Sequence, residues 1–469
     1  MKKRIGAMIL AGGMLLASLT GCRGGGGETS GETAHLKWVI FGQQPKDYEQ
    51  VMSKVNEYLE EKINADLQIE FVQAADFEQK ANLMMASNDE TWDLMFTSGW
   101  KNNYELNVEK GAFYGLSDLM KKETPDLYNF FEPYIIDAMT VKGEIYAVPM
   151  NQVMYQQRGM WFHKEIAEKY GLDVKNVKSF DDLRDIYAVV KEAEPDMIPA
   201  SGVSNGQFLP LETDVVAGLE IVDGKVTARD EEKYEGYKAA REFYVKGYIP
   251  QEVNFEENTY IKVGKLFSRY VRYLPGVESK FRIANSFDII AIPTTDMKMR
   301  RTDVQGAATA INRSSKHPVQ ALKLLELMTT DPYLFNLMAY GIEGVNYTKE
   351  GNRITPTEDA YYVQEYLIGN QFLAYLMPGY EDTVWEETDR LNHEAPYDEN
   401  IGFQFDREPV QTELANLSAA NEYSKSLSGG RVEDVDGTIQ KDKAKRALAG
   451  EEKIKNEIQR QYDQWKAQQ

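Results

Sequence analysis

The sequence predicts an α/β protein built of two lobes, and three observations support this fold class. Residues 36–96 alternate strand-like and amphipathic helical segments, a pattern typical of a parallel sheet with crossover helices. Further strand-like runs at residues 287–293 and 306–311 come much later in the chain, after several other helices. The folded part of about 430 residues also exceeds one ordinary hydrophobic core, so we expect two domains.

Hydrophobic periodicity assigns the elements of the first unit. Ligands of parallel α/β sheets bind beyond the carboxyl ends of the strands. This rule makes the loops at residues 42–46 and 97–104 candidates for a binding site. The predicted elements are strand 36–41, helix 48–63, strand 67–72, helix 76–85 and strand 92–96.

The first residues predict export. Lys2, Lys3 and Arg4 give a positive start, and residues 5–19 form an apolar run that is short for a membrane span. The following Leu-Thr-Gly-Cys ends at Cys22 and resembles the lipobox of bacterial lipoproteins. That resemblance implies lipidation of Cys22 and anchoring on the extracellular face of the cell membrane. An ordinary secretory signal with a chance cysteine is the alternative.

Composition narrows the function classes. The chain has 53 Lys and Arg against 74 Asp and Glu, a net charge of −21, which argues against binding nucleic acid or docking by charge on anionic lipid. Cys22 is the only cysteine, so no disulfide can form within one chain. The sequence has no His-Glu-x-x-His metal motif, no Gly-x-Ser-x-Gly motif and no phosphate-binding loop. We therefore expect no metal, no cofactor and no catalytic residues.

Several phrases resemble the family 1 extracellular solute-binding proteins of ABC importers, whose best-known member binds maltose. Residues 143–149 read Gly-Glu-Ile-Tyr-Ala-Val-Pro, residues 161–164 read Trp-Phe-His-Lys, and residues 310–318 read Ala-Ile-Asn-Arg-Ser-Ser-Lys-His-Pro. The usual asparagine of the second phrase is His163 here. The phrases at 340–347, 369–372 and 402–406 resemble a Gram-positive subgroup with a C-terminal domain of unknown function.

This resemblance implies a periplasmic-binding-protein-like fold with hinge strands and a ligand cleft between the lobes. It also implies a monomer that captures a carbohydrate, with an oligosaccharide as the expected ligand, and delivers it to the permease subunits of an ABC importer. Two alternatives remain open: a lipid-anchored glycoside hydrolase, and a sensory binding lipoprotein without transport.

The resemblance also suggests domain boundaries, with both lobes discontinuous. We expect hinge strands at residues 148–151, 293–306 and 345–348. The expected parts are a signal peptide at 1–21, a flexible tether at 22–35, lobe one at 36–148 plus 306–345, and lobe two at 149–305 plus 346–469.

The candidate site residues follow from the chemistry of sugars, which are held by flat aromatic faces and by planar polar side chains. Trp100 comes directly after the third strand, where it is a ligand platform or a packing residue. Glu343 contacts ligand or stabilises the hinge, and Arg272 would matter most for an acidic ligand. The full set is Trp100, Tyr104, Asn151, Gln152, Tyr155, Arg272, Tyr340, Glu343, Gln371 and Trp385.

Overall fold

Two separate sheets organise the protein, whose computed structural model describes residues 32–87, 91–204, 206–252, 255–420 and 423–469. Cys22 and the predicted signal peptide lie outside these residues. Residues 33–469 form one unit. In the described ranges no helix combines the length and the apolar character needed to cross a membrane.

The first three strands of the described residues lie near their predicted positions, and the first of them begins two residues earlier than expected. They are β1 (Ala34–Phe41), β2 (Ala65–Val72), β3 (Leu94–Thr97), β4 (Thr140–Val141), β5 (Glu144–Ile145), β6 (Ala147–Pro149), β7 (Arg158–His163), β8 (Ile198–Ala200), β9 (Thr213–Val216), β10 (Leu219–Val222), β11 (Lys225–Thr227), β12 (Leu266–Arg272), β13 (Ile289–Pro293), β14 (Ala308–Ile311), β15 (Tyr347–Glu350) and β16 (Arg353–Pro356).

The helices cover the sheets and form most of the C-terminal region. They are α1 (Tyr48–Ile63), α2 (Phe77–Ala86), α3 (Tyr104–Glu109), α4 (Ser117–Glu123), α5 (Pro125–Phe130), α6 (Pro133–Met139), α7 (Lys164–Lys169), α8 (Phe180–Ala193), α9 (Asp230–Val245), α10 (Glu257–Lys262), α11 (Val277–Ala284), α12 (Arg301–Val304), α13 (Pro318–Thr330), α14 (Pro332–Tyr340), α15 (Val384–Glu394), α16 (Gln411–Ala420), α17 (Tyr423–Ser428), α18 (Val435–Ala449) and α19 (Glu451–Lys466).

The first sheet has the strand order β2-β1-β3-β14-β6. Strands β1, β2 and β3 are parallel, as the alternation of strands and helices predicted, whereas β14 runs antiparallel to both β3 and β6. Every residue of β3 and β14 is buried, which agrees with their mainly apolar sequences. Trp38 and Trp92 lie in this core, 0% and 1% exposed.

The second sheet has the order β13-β7-β12-β8, with β7 antiparallel to both of its neighbours. The chain passes from the first sheet to the second between β6 and β7, and returns between β13 and β14. These two crossings pair with each other, because the backbone N–H groups of Gln156 and Lys298 each donate to the other's carbonyl oxygen at 2.8 and 2.9 Å. The predicted hinge segments 148–151 and 293–306 border or lie in these crossings.

The packing after residue 345 differs from the expected division into lobes. Tyr347, Ile354, Leu367 and Ile401 are buried in the same core as the first sheet, although we had grouped residues 346–469 with lobe two. The segment 345–348 therefore does not lead the chain into the second core. Sequence periodicity could not reveal this, because it shows which side chains are buried and not which core buries them.

The last part of the chain forms a core of its own with the small sheet of β9, β10 and β11. Leu219 and Ile221 of β10 pack in one buried cluster with Phe403, Ile454 and Tyr462. Trp465 lies beside this cluster, with its ring centroid 5.7 Å from that of Phe403. The C-terminal helices thus dock on an insertion of the second lobe.

Candidate functional site

Trp100 lies at the carboxyl edge of the first sheet, three residues after β3 ends. Its side chain is 58% exposed, although two buried rings support it from below. The ring centroids of Phe41 and Phe96 lie 5.9 and 6.2 Å away in edge-to-face geometry. The indole Nε1 donates to the carbonyl oxygen of Gly306 at 2.8 Å. The ring is therefore held in one orientation while much of its surface faces solvent.

The loop that carries Trp100 is held by its own polar groups. The Ser98 hydroxyl oxygen accepts hydrogen bonds from the backbone N–H of Trp100 at 3.3 Å and of Lys101 at 2.8 Å. The Thr97 hydroxyl donates to the carbonyl oxygen of Asn102 at 2.5 Å. Such local bonds are typical of Ser and Thr in turns, and here they leave the indole few alternative positions.

Gln152 is a predicted residue that the structure places beside Gly306. Its Nε2 atom lies 3.3 Å from the position of a Cβ atom built on Gly306, the residue whose carbonyl binds Trp100. The side chain is half-buried. An amide carries both donors and an acceptor, so Gln152 can bind sugar hydroxyls beside the aromatic platform.

Asn151 lies on the first crossing and contacts the segment after α14 that contains Gln371. The Asn151 amide donates to the Asn370 side chain at 3.1 Å, and its carbonyl oxygen accepts from the backbone N–H of Gln371 at 2.8 Å. Gln371 is 8% exposed. These contacts join the crossing to the segment after α14, and they give the Asn151 amide a partner within the protein.

Arg272 and Tyr155 meet where the first crossing reaches the second sheet. The Arg272 guanidinium donates to the carbonyl oxygens of Val153, at 3.2 Å, and of Tyr155. Burial lowers the pKa of Arg272, and burial raises the pKa of the Tyr155 phenol to about 12. The Tyr155 side chain is 1% exposed, so it packs inside the protein. Arg272 binds backbone carbonyls there, which makes it a support for the hinge.

Tyr104 is a core residue, and its assignment to the site was wrong. It is 0% exposed, its hydroxyl donates to the carbonyl oxygen of Met139 at 2.7 Å, and it accepts from the N–H of Tyr146 at 3.0 Å. Burial raises the pKa of this phenol. The residue begins α3, and the first turn of that helix directs the ring inward.

Tyr340 and Trp385 are buried, and each packs against a tyrosine of the segment after α14. Tyr340 is 2% exposed and donates to the Glu365 carboxylate at 2.7 Å. Trp385 is 7% exposed, and Lys280 of α11 places its ammonium 5.1 Å from the ring centroid. Glu343 is exposed in the turn before β15 and forms a backbone bridge with Tyr347. The structure does not gather these three around Trp100.

Two residues that matter to the geometry of Trp100 were missed from the sequence. Phe41 ends β1 and supports the indole, but in sequence it is indistinguishable from any other core residue of a strand. Gly306 supplies the carbonyl that orients the ring, 206 positions away in the chain. Its only signal was its place at the start of the predicted strand-like run at 306–311.

Comparisons with known proteins agree with this architecture. The family described as bacterial extracellular solute-binding protein matches residues 42–334, and a domain of unknown function, DUF3502, matches residues 400–467. A protein of Streptococcus pneumoniae serotype 4, described as a carbohydrate ABC transporter substrate-binding protein, is 30% identical over 460 residues. That match covers 93% of this chain and 92% of the relative.

Solved structures of an N-glycan transport solute-binding protein (NgtS) from Streptococcus pneumoniae are also similar. One is 27% identical with a TM-score of 0.80, covering 92% of this chain and 98% of that one. The complexes of that protein with Man1GlcNAc and Man5GlcNAc have TM-scores of 0.74 and 0.72, at 27% and 28% identity. They cover 92% of this chain and 99% and 98% of theirs.

Proposed function

The chain belongs to the bacterial extracellular solute-binding proteins, and we propose that it captures an oligosaccharide and delivers it to the permease of an ABC importer. The observation that carries this proposal is Trp100, which is 58% exposed yet fixed by its bond to Gly306. An indole that faces solvent leaves a large apolar surface in water. The free protein therefore lacks the stabilisation that burial of this surface would give. A flat aromatic face that stacks on the C–H surface of a sugar offsets that cost.

The related proteins support a carbohydrate ligand. The curated relative is a carbohydrate transporter component, and the similar NgtS structures include complexes with Man1GlcNAc and Man5GlcNAc. We infer an oligosaccharide of this kind as the ligand here. We also assign Gln152 to the site, since its amide nitrogen lies beside Gly306, the residue whose carbonyl oxygen orients Trp100.

We further propose that the lobes close around the ligand by bending at the two crossings. Two α/β lobes joined mainly by such crossings move relative to each other unless their interface is large and apolar. Small-angle scattering tests this motion, because the radius of gyration should fall when the ligand saturates the protein.

We propose lipid anchoring at Cys22 and a monomeric state. Two acyl chains hold a protein stably at a membrane, whereas one chain holds it only marginally. Cys22→Ala should move the protein from the detergent phase to the aqueous phase in a partitioning experiment. A variant that still partitions with detergent would contradict lipidation, and light scattering of the form that begins at residue 23 measures the oligomeric state.

The binding proposal is tested by calorimetric titration of that soluble form with Man1GlcNAc and Man5GlcNAc. We expect saturable binding, and a sugar at 100 times its dissociation constant should add about 2.7 kcal/mol to the free energy of unfolding. The recovered sugar should be intact, because a binding protein performs no chemistry. Absence of binding to both sugars would count against this ligand class, and released monosaccharide would identify a hydrolase.

A further inference from the structure

An open groove lies between lobe one and the C-terminal region, apart from the edge that carries Trp100. It has a volume of about 740 Å³ and is formed by α6, the turn between β4 and β5, and residues 397–404. We call it the C-terminal groove. Its volume is within the range of about 300–1,000 Å³ that small-molecule sites occupy. The side chains that matter for its chemistry are Tyr134, Asp137, Lys142, Tyr397, Gln404 and Trp465.

Two tyrosines form a parallel pair in this groove. The ring centroids of Tyr134 and Tyr397 are 4.6 Å apart with an angle of 5° between the planes. Tyr397 is nevertheless 54% exposed. Its backbone is fixed, because Tyr397 forms a bridge with Met299 on the second crossing. The pair therefore presents an ordered aromatic surface to solvent, as a sugar platform requires.

The polar side chains of the groove include both donors and acceptors. Asp137, Glu399 and Lys142 are exposed and carry charges of both signs, and Gln404 is half-buried beside them. The Gln404 carbonyl oxygen accepts from the backbone N–H of Lys142 at 2.9 Å, which orients the amide. A mixed set of this kind suits the many hydroxyls of a neutral sugar better than it suits a strongly charged or purely apolar ligand.

A chain of contacts connects the groove to the edge that carries Trp100. Glu105 lies in α3, five residues after Trp100, and pairs with Arg301 at 2.7 Å. Arg301 also donates to the carbonyl oxygens of Asp137, at 3.1 Å, and Thr140, at 2.8 Å. On the other side, Arg407 lies 3.9 Å from Glu105. This cluster therefore joins α3, which follows the Trp100 loop, to α6, which lines the groove.

We propose that the C-terminal groove is a second carbohydrate subsite, which binds the part of a long oligosaccharide that extends beyond Trp100. This inference rests on the proposed function and assigns a role to the C-terminal region. Short sugars occupy the Trp100 edge alone, whereas longer ones also stack on Tyr397. The C-terminal region then determines which lengths of oligosaccharide the protein prefers.

The test compares two sugars and two variants of the soluble form by calorimetric titration. Tyr397→Ala should weaken binding of Man5GlcNAc by about five- to tenfold and leave Man1GlcNAc unchanged, because only the longer sugar reaches the groove. Tyr397→Phe keeps the ring and should retain wild-type affinity for both. Tyr333→Ala is the matched control, since Tyr333 is 55% exposed on α14 and contacts Tyr58 of α1.

The outcomes separate this inference from the proposal on which it rests. If wild type binds both sugars and Tyr397→Ala does so with equal affinity, the groove is not a subsite and the proposed function stands. An equal loss for both sugars would also overturn the subsite, because Tyr397 would then act on the whole site. If wild type binds neither sugar, both ideas fail together. Melting curves of each variant exclude loss of folding, since an exposed ring contributes little to stability.

Discussion

The indole nitrogen of Trp100 donates to the carbonyl oxygen of Gly306 at 2.8 Å and thereby links the loop after β3 to the start of β14. Strands β3 and β14 are neighbours in the first sheet, so the bond joins them at the edge of the sheet where β3 ends. It also determines the direction of the ring. An exposed tryptophan without such a bond would sample several rotamers, and a ligand would bear the entropic cost of ordering it.

Replacement of the platform should reduce affinity more than stability. Trp100→Ala should weaken oligosaccharide binding by about 1–3 kcal/mol, the scale of an aromatic anchor in a binding site. The melting temperature should fall only slightly, because 58% of the side chain is already exposed. Calorimetric titration and a melting curve measure the two effects. A tryptophan of the core would instead cost about 3–5 kcal/mol of stability, and that result with unchanged affinity would remove Trp100 from the site.

The carbonyl of Gly306 should matter as much as the ring that it orients. A Cβ atom at this position would lie 2.9 Å from the carbonyl oxygen of Asp303 and 3.3 Å from Gln152 Nε2, so the backbone must shift. Gly306→Ala should therefore weaken sugar binding severalfold. Gly202→Ala is the control, because a Cβ atom there meets nothing within 4 Å. Equal affinities of the two variants in the same titration would show that ring orientation is unimportant.

Much of the fold could be predicted because its elements have strong local signals. The helix predicted over residues 48–63 is α1 as observed, and the strands predicted at 36–41 and 67–72 are β1 and β2 with earlier starts. Apolar periodicity and strand-terminating residues determine such segments locally. The rule that ligands bind beyond parallel strands pointed to the loop that carries Trp100, but it left open whether the ring is exposed or packed.

The rest depends on contacts between distant parts of the chain. Tyr104 and Trp100 are both aromatic residues of the same predicted loop, but only Tyr104 has buried backbone partners at Met139 and Tyr146. No local sequence pattern predicts those hydrogen-bond partners. The same limit explains why Arg272, predicted to face ligand, binds backbone carbonyls of the crossing instead. Tertiary packing determines whether a residue of a given type contacts ligand or packs inside the protein, and sequence periodicity does not reveal that packing.

Tyr104 supplies a direct test of this distinction. Tyr104→Phe removes a buried hydroxyl that bonds to Met139 and Tyr146, and it leaves the N–H of Tyr146 without that acceptor. An unsatisfied buried group costs about 1–3 kcal/mol, so the free energy of unfolding should fall by about that amount. Sugar affinity should not change. Denaturant unfolding and titration of the same preparation check both statements, and a selective loss of affinity would restore Tyr104 to the site.

The final prediction concerns pH and the carboxylate of Glu105. Burial is the largest single influence on the pKa of Glu105 and raises it. Arg301, Gln305 and Arg407 together lower this pKa by more, so it lies below the usual value of 4.5. A carboxyl whose pKa is lower in the folded state stabilises the fold above its unfolded pKa. That contribution is lost as the pH falls through the folded value. The connection between α3, α12 and the C-terminal region should therefore weaken in acid.

Glu105→Gln isolates this effect from the titration of the many other carboxyl groups. At pH 7 the variant should be about 1–3 kcal/mol less stable than wild type, the contribution of a hydrogen bond to a charged group. The difference should shrink as the pH falls below 4.5, because wild type then loses the same charge. Glu57→Gln is the control, since Glu57 pairs with Lys54 while 71% exposed and should change stability little at any pH. A Glu105→Gln deficit that stays constant across the acid range would show that the side chain acts through packing alone, because a packing loss does not titrate.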